Sequence, residues 1–516
     1  MSDPFYVTTP IYYVNDAPHL GHAYTTILAD VLARFSRLRG NETFFLTGTD
    51  EHGQKVQQAA QKQGLAPLDY SDKMQAQFRS AWEKLEISYD DFIRTTQQRH
   101  IKVVQQALDD LWQRGEIYLG GYEGWYCVHD ERFWTYKDLL NGNCPDCHRP
   151  VEKVVEANYF FRMSTYQDWL VDYIQTHPEF IQPAYRRNEV LGFLRQPLGD
   201  LCISRPINRL TWGIPLPFDR QFVTYVWFDA LLNYITAAGY GRDNAQFEHI
   251  WPQTVHLIGK DILTTHSVYW PIMLKAMRLP MPRTIFAHGW WVTPEGQKMS
   301  KSLGNAVRPL DLADLYGVDA FRYFLMRDMT PGLDADFSEE RLAERYRSDL
   351  ANNLGNLVQR ITSMIERYFE GELPTPSEVT AEDVQLRRHF ETLPQRVLDY
   401  IDAYNPQQAL NTVMEALTLT NQYLEHNVPW KLAAAGQLSR TGSILYHAAE
   451  AVRLASLLLW PVMPEKSVQI WQTFNWTPPQ PYSYALTWGH LQPGTTFQNG
   501  VPLFPRIENL AVEKVG

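Results

Sequence analysis

The first fifty residues constrain the fold more than any other stretch. "FYVTTPIYYV" is β-rich and ends at the turn cluster Asn15-Asp16-Ala17-Pro18. "LGHAYTTILADVLARFSRLRG" then reads as an amphipathic helix closed by Gly40, and "ETFFLTG" as a second apolar strand. A further helix candidate starts at Glu51. Strand, helix, strand, helix at this spacing predicts a parallel α/β sheet. From about residue 116 to about Ser164 helical period is lost, and Gly, aromatic and Cys residues crowd together, as in an insertion. "RQFVTYVWFDALLNYITAAGY" and "TVHLIGKDILTTHSVYWPIMLKAM" restore the alternation. Beyond about Ser338 an apolar stripe at Leu350, Leu354, Leu357, Val358, Ile361 and Ile365 predicts helix. Windows at Leu386–Tyr404, Leu410–Leu424 and Ile444–Trp460 behave alike, so a helical bundle follows the α/β part. The stretch from about Trp476 is Pro-rich and irregular.

At 516 residues the chain is too long for one compact core, and two to four domains are expected. No apolar run approaches the length of a spanning helix. The start, MSDPFYVTTPIYYV, lacks the basic stretch and cleavage site of a signal peptide. Four cysteines, three of them clustered, argue for a reducing compartment, the cytoplasm. A net charge of −11 does not suggest a nucleic-acid binder, although a local basic groove on an acidic body remains compatible with it.

Two motifs carry the chemistry. Pro18-His19-Leu20-Gly21-His22 follows a strand and opens a helix, where free backbone N–H groups and partial positive charge suit a phosphate. Gly21 lets a large flat ligand approach the backbone. Read alone, the stretch is equally a capped helix with two surface histidines. Lys298-Met299-Ser300-Lys301-Ser302, between Gly296 and Gly304, reads either as a solvated charged loop or as a mobile loop of phosphate donors. Neither G-x-x-x-x-G-K-[ST] nor G-x-G-x-x-G occurs.

"PHLGH" and "KMSKS", in this order and context, resemble the two signatures of class I aminoacyl-tRNA synthetases. "TTPIYYVNDAPHLGHAYT", "GTDEHG", "YVWFDALLNYI", "HLIGKDILTTHSVYWP" and "HGWWVTPEGQKMSKSLGN" closely resemble the methionyl-tRNA synthetase family, and "NNLGNLVQR" and "HNVPWKL" extend the likeness into the helical part. Isoleucyl, leucyl and valyl relatives need much longer chains for their editing insertion.

The resemblance implies a Rossmann-like catalytic domain over residues 1–115 and 221–285, split by a connective insertion with a zinc knuckle at 116–220. A KMSKS loop and stem-contact region would occupy 286–345, and an α-helical anticodon-binding domain 346–516. It implies activation of L-methionine with ATP and Mg²⁺ to methionyl-adenylate, then transfer to initiator and elongator tRNA(Met). A carboxylate already ionised at neutral pH needs no general base, so positioning and charge neutralisation dominate. By the same resemblance His19, His22, Lys298 and Lys301 act on the phosphates, with Gly21, and Gly259 and Asp261 line the adenosine side. Asp50 takes the α-ammonium. Ile11, Tyr13, Trp227, Tyr234, His266 and Trp270 build the side-chain pocket, with Pro10 at its edge. Aromatic walls suit a polarisable thioether. Without the resemblance, Trp227 and Trp270 read as ordinary core, and His266 as a satisfied core histidine.

Asn356 and Arg360 share a helix face and match the family's anticodon-reading pair. Pro429-Trp430 matches the site where the first anticodon base stacks. For the insertion, the resemblance implies a zinc site of Cys127, Cys144 and Cys147 with Asp130 in the fourth position. Carboxylate oxygen is an acceptable zinc ligand, and His129 and His148 are neighbouring alternatives. An empty knuckle is the competing reading. The family's dimerising tRNA-binding module finds no room after the bundle, so a monomer is expected. Two other functions stay open: an H-x-G-H nucleotidylyltransferase, and a catalytically silent synthetase-like tRNA binder.

Overall fold

The structure is a computed structural model that describes residues 4–128, 132–134, 136–145, 147–297, 299, 307–498 and 502–505. Its centre is a seven-stranded parallel sheet. From one edge the strands run Asp91–Arg94, Thr43–Asp50, Phe5–Thr8, Thr254–Gly259, Thr284–His288 and Ile181–Gln182. The two-residue strand Tyr12–Tyr13 pairs with Thr49 and Asp50 on the side of Thr43–Asp50 that Phe5–Thr8 also uses. The single strand expected over "FYVTTPIYYV" is therefore two short ones. Pro10, which has no N–H to give to a ladder, lies at the break.

All six residues of Thr254–Gly259 are buried, as a central parallel strand covered on both faces requires. The chain steps outward from Phe5–Thr8 to Thr43–Asp50 and Asp91–Arg94. It then returns to the other side of Phe5–Thr8 with Thr254–Gly259. Strand order reverses there, and the crevice beyond the carboxyl ends of these two strands is where such sheets take ligands.

Between the two halves lies a four-stranded antiparallel sheet, in the order Arg132–Trp134, Ile117–Cys127, Glu152–Phe161 and Leu201–Cys202. Ile181–Gln182 belongs to the same stretch of chain but leaves it to form the edge of the central sheet, opposite Ile285 and Phe286.

The C-terminal part is helical: Asn356–Phe369, Ala381–Asp402, Pro406–Asn427, Leu438–Leu459 and Pro464–Thr473. Local chemistry sets the starts. Thr380 and Asp383 form a capping box. Asn405 caps the next helix, with Pro406 in its first turn. The stripe around Leu350 is not one α-helix, because Tyr346–Gly355 is π-helical and regular α-helix begins at Asn356.

Length alone predicts separate cores. Two large apolar clusters form among the described residues: one gathers Leu46, Phe161, Leu232, Trp251 and Trp270, and the other runs from Ile27, Leu28 and Phe45 through Phe321 and Phe324 to Leu357, Phe390 and Leu454 in the bundle. Helix Leu20–Leu38 is apolar on nearly every side and sits in the middle of it. A buried ion pair crosses the same junction. Arg322 donates from Nη2 to Asp30 Oδ2 at 2.6 Å and to the Pro461 carbonyl at 3.0 Å. Its Nε reaches the Val462 carbonyl at 2.8 Å and its Nη1 the Leu85 carbonyl at 3.0 Å. Catalytic helix and bundle thus share packing and a polar tie.

Candidate active site

His19 is the N-cap of helix Leu20–Leu38. Its Nδ1 accepts from the backbone N–H of Gly21 at 3.1 Å and of His22 at 3.4 Å. The ring of His22 answers by accepting from the His19 backbone N–H at 3.3 Å. This is a capping box built from two histidines, with the rings stacked 3.6 Å apart between centroids. Because each Nδ1 is an acceptor, a neutral ring carries its proton on Nε2. Gly21 has a second reason to be glycine: a Cβ there would lie 3.1 Å from Cε1 of His19 and press on the cap.

The residues expected to bind the amino acid fall in a buried cluster. Tyr234, His266 and Trp270 are all buried, and Asp50 is buried at the end of its strand. His266 sits in a π-helical turn, Thr265–Tyr269, that runs directly into the helix starting at Trp270, and such turns concentrate at functional sites. His266 Nδ1 donates to the Ile262 carbonyl at 3.1 Å, so its Nε2 accepts from the Tyr234 hydroxyl at 2.8 Å. Burial pushes this imidazole down to about 4. A second histidine, His256, takes the Trp270 indole N–H on Nε2 at 3.1 Å and turns Nδ1 toward the Thr8 hydroxyl at 2.8 Å. Burial first, and His266 second, hold it well below the ordinary range. The cluster thus carries two imidazoles of fixed tautomer whose charged form burial disfavours. Pro10, Ile11, Tyr13 and Trp227 are half-buried, and the Tyr13 hydroxyl donates to the His52 carbonyl at 2.9 Å.

On the other side of the crevice, Gly259 ends its strand so close to Asp261 that a Cβ would fall 2.4 Å from the carboxylate. Asp261 Oδ1 accepts from the Trp290 indole at 3.1 Å. Lys260 pairs with Asp334 at 2.6 Å and lies over the Trp290 ring. Lys298 and Lys301 lie outside the described residues.

In the insertion, the sulfurs of Cys127, Cys144 and Cys147 all lie within 4.8 Å of one another, with Cys127 and Cys147 3.5 Å apart. Four ligands at a zinc–sulfur distance of about 2.3 Å place sulfurs about 3.8 Å apart, so the donor set fits. The turn is closed by backbone bonds from His148 N to Cys144 O and from Cys144 N to Arg149 O, both 2.9 Å. His148 itself is exposed and is not among the three grouped donors. Asp130 and His129 lie outside the described residues. The fourth cysteine, Cys202, is elsewhere, against Arg205.

In the bundle, Arg360 lies 5.7 Å from the Trp430 ring and within reach of Asn421 and Glu425. Asn356 is exposed one turn earlier on the same helix. Trp430 is 36% exposed and follows Val428, whose φ of 40° turns the chain at the helix end, and buried Pro429. The structure therefore gathers Asn356, Arg360, Pro429 and Trp430, far along the chain from the crevice residues.

Sequence reasoning did not single out His52, His100, Asp229 or His256. His52, Asp229 and His256 are polar residues inside otherwise apolar or motif-bearing stretches, and that is the signal they offered, whereas His100, in the polar run QQRHIK, offered none. Nor does size mark the site. A cleft of about 740 Å³ lies instead at Arg114, Lys275 and Arg278, where cations follow helix C-termini.

The family described as tRNA synthetases class I (M) matches residues 5–156 and 150–362. The chain is 47% identical over 98% of its length to the methionine–tRNA ligase of Caldanaerobacter subterraneus subsp. tengcongensis, covering 80% of that protein. It is 43% identical over 98% of its length to that of Streptomyces coelicolor, covering 97%. Among solved structures it is similar to Mycobacterium tuberculosis methionyl-tRNA synthetase in complex with methionyl-adenylate. The TM-score is 0.94 at 41% identity, over 98% of this chain and 100% of that one. The apo form of the same enzyme matches at 0.87 and 38%, over 99% of each chain. With signature histidines opening the helix after the first strand, a buried cluster of Tyr234, His266 and Trp270 and a helical C-terminal part, the chain belongs to the class I (M) tRNA synthetases, the methionine–tRNA ligase family.

Proposed function

We propose that the chain activates L-methionine with ATP to methionyl-adenylate and transfers the methionyl group to tRNA(Met), as a cytoplasmic monomer. The observation that carries this reading is a helix N-terminus capped by two stacked histidines, in the same sheet architecture as a buried cluster of Tyr234, His266 and Trp270.

In the reaction, Asp50 holds the α-ammonium and leaves the carboxylate to attack the α-phosphorus. The bond to pyrophosphate breaks as the new acyl–phosphate bond forms, and no proton has to move. His19 and His22 offer Nε2–H donors to the phosphates beside the helix N-terminus. Lys298 and Lys301 supply positive charge to the β- and γ-phosphates, which enter as the Mg²⁺ complex, and Gly259 and Asp261 line the adenosine side. The neutral pocket histidines place a polar group near the thioether without an ion, which favours methionine over leucine and isoleucine.

Transfer requires the tRNA, whose first anticodon base stacks on Trp430 beside Pro429, Asn356 and Arg360. Cys127, Cys144 and Cys147, with Asp130, would hold Zn²⁺, which would serve as a structural clip for the insertion. The division proposed is catalysis in 1–115 and 221–285, insertion in 116–220, the KMSKS region in 286–345 and anticodon reading in 346–516. No helix among the described residues is long and apolar enough to cross a membrane.

The deciding experiment is ATP–pyrophosphate exchange with each of the twenty amino acids, followed by charging of tRNA. Exchange with methionine alone, and methionyl-tRNA as product, is the expected result. Adenylate transfer without methionine would favour a nucleotidylyltransferase, and tRNA binding without exchange a silent binder. A sedimentation mass near 59.9 kDa is expected, and twice that value would contradict the monomer.

A further inference from the structure

Behind the pocket lies a buried polar cluster that none of the signature motifs accounts for. Asp229 accepts from His52 Nδ1 at 2.6 Å through one carboxylate oxygen and from His100 Nε2 at 2.7 Å through the other. All three side chains are buried. Burial alone would raise the Asp229 carboxyl, but the two histidines outweigh it and hold it below the usual carboxylate range.

The three groups come from three elements. His52 stands two residues after Asp50, His100 in the first turn of helix Gln98–Gln113, and Asp229 on helix Val226–Leu231, two residues after Trp227. His52 also receives the Tyr13 hydroxyl on its backbone carbonyl and faces the Trp212 ring. Trp212 in turn donates to the Glu51 carbonyl at 2.5 Å. One residue therefore joins three parts: the backbone of His52 continues the strand end carrying Asp50 and takes the Tyr13 hydroxyl, and its imidazole holds the helix carrying Trp227. Neighbouring Glu51 is fixed separately, by two bonds from Arg94 at 2.7 and 3.0 Å and by the hydroxyls of Thr49 and Thr96. His52 is thus the link from this loop to the Trp227 helix.

We propose that His52, clamped by Asp229, is a positioning residue for amino-acid binding: it sets the distance between the Asp50 carboxylate and the Trp227 wall. The inference rests on the reading of Asp50 and Trp227 as methionine contacts. ATP meets the crevice on its other side, so this role separates the two substrates kinetically. It also specifies which replacement works. The bond leaves Nδ1, and the amide nitrogen of asparagine occupies nearly the same place, whereas that of glutamine lies one carbon farther out.

The test is steady-state ATP–pyrophosphate exchange with His52→Ala, His52→Gln and His52→Asn, with a thermal melt of each. In His52→Ala and His52→Gln the KM for methionine should rise about tenfold or more, as loss of a buried charge-assisted bond implies, with the KM for ATP within about twofold. His52→Asn should return the methionine KM to within about threefold of wild type. If alanine does not fold, the contrast between asparagine and glutamine carries the test. An unchanged methionine KM, equal shifts in both KM values, or equal behaviour of Asn and Gln would overturn the proposal. Asp50→Ala is the control for the underlying reading. If it leaves the methionine KM unchanged, that reading fails, whereas a large effect there with none at His52 fails only the present inference.

Discussion

The tie between Arg322 and Asp30 gives the sharpest stability prediction. Both side chains are fully buried, and Arg322→Met keeps most of the volume while removing the charge. Asp30 keeps Arg34 Nε at 2.8 Å and the Ser88 N–H and hydroxyl at 2.7 and 2.6 Å. The carbonyls of Leu85, Pro461 and Val462 lose their donor. Removing one partner of a buried pair costs about 3–5 kcal/mol, and the partners left to Asp30 place the value toward the low end. Adding Asp30→Asn removes the stranded charge, so the double variant should recover about 1–3 kcal/mol. The check is urea unfolding of wild type, both single variants and the double variant, with methionine-dependent exchange followed across the same titration. Because the pair joins the catalytic helix to the bundle, activity should vanish at lower urea in step with the spectroscopic transition. A loss below about 1 kcal/mol, or a double variant as unstable as the sum of the singles, would refute the reasoning.

Four further outcomes follow from named contacts. Asp319 is buried, accepts the Lys466 backbone N–H at 2.6 Å and is pushed up to about 7, by burial first. Its folded value exceeds the unfolded one, so its contribution is complete below about pH 4 and lost as pH rises through 7. Asp319→Asn should flatten that decline by up to about 4 kcal/mol in pH-dependent melts. Trp430→Ala should lower kcat/KM for tRNA charging about 5- to 150-fold, the value of one stacked base, and leave pyrophosphate exchange nearly intact. Cys144→Ser should reduce bound zinc from about one equivalent to under a tenth by metal analysis, and wild type at under a tenth would end the zinc reading. His19→Asn keeps an excellent N-cap, so the melt should move by under about 1 kcal/mol, while exchange falls about 100-fold through loss of the Nε2 donor.

The sequence was most legible where a motif and a local rule coincide. Pro18 to His22 reads as a helix start because cap chemistry is local, and the structure has its N-cap at His19. The parallel sheet was legible from alternation. The break at Pro10 and the π-turns at Thr265–Tyr269 and Tyr346–Gly355 were not, since residue-level periodicity does not register one inserted residue. Ties between distant elements were hidden altogether. Asp30, Asp229 and Arg322 are charged residues on buried helices, and their partners stand 292 positions away for Asp30 and 177 and 129 for Asp229. Nothing local distinguishes them from surface charges until the fold brings the elements together. The same applies to His256, which alternation places in a strand but which only Thr8 and Trp270 explain.

The capping box also constrains how charge is divided in the site. A cap that accepts on Nδ1 is compatible with a neutral imidazole and opposed to an imidazolium, whose second N–H would face the backbone donors of Gly21 and His22. His19 and His22 are thus suited to directing hydrogen bonds at phosphate oxygens, with little net charge of their own. The crevice holds Lys260, but Asp334 already pairs with it. On the function proposed above, neutralising a polyphosphate would fall to the metal of the ATP complex and to Lys298 and Lys301. A site so divided would bind the nucleotide weakly at first and strengthen as charge develops on the departing pyrophosphate, which is the differential binding that raises kcat.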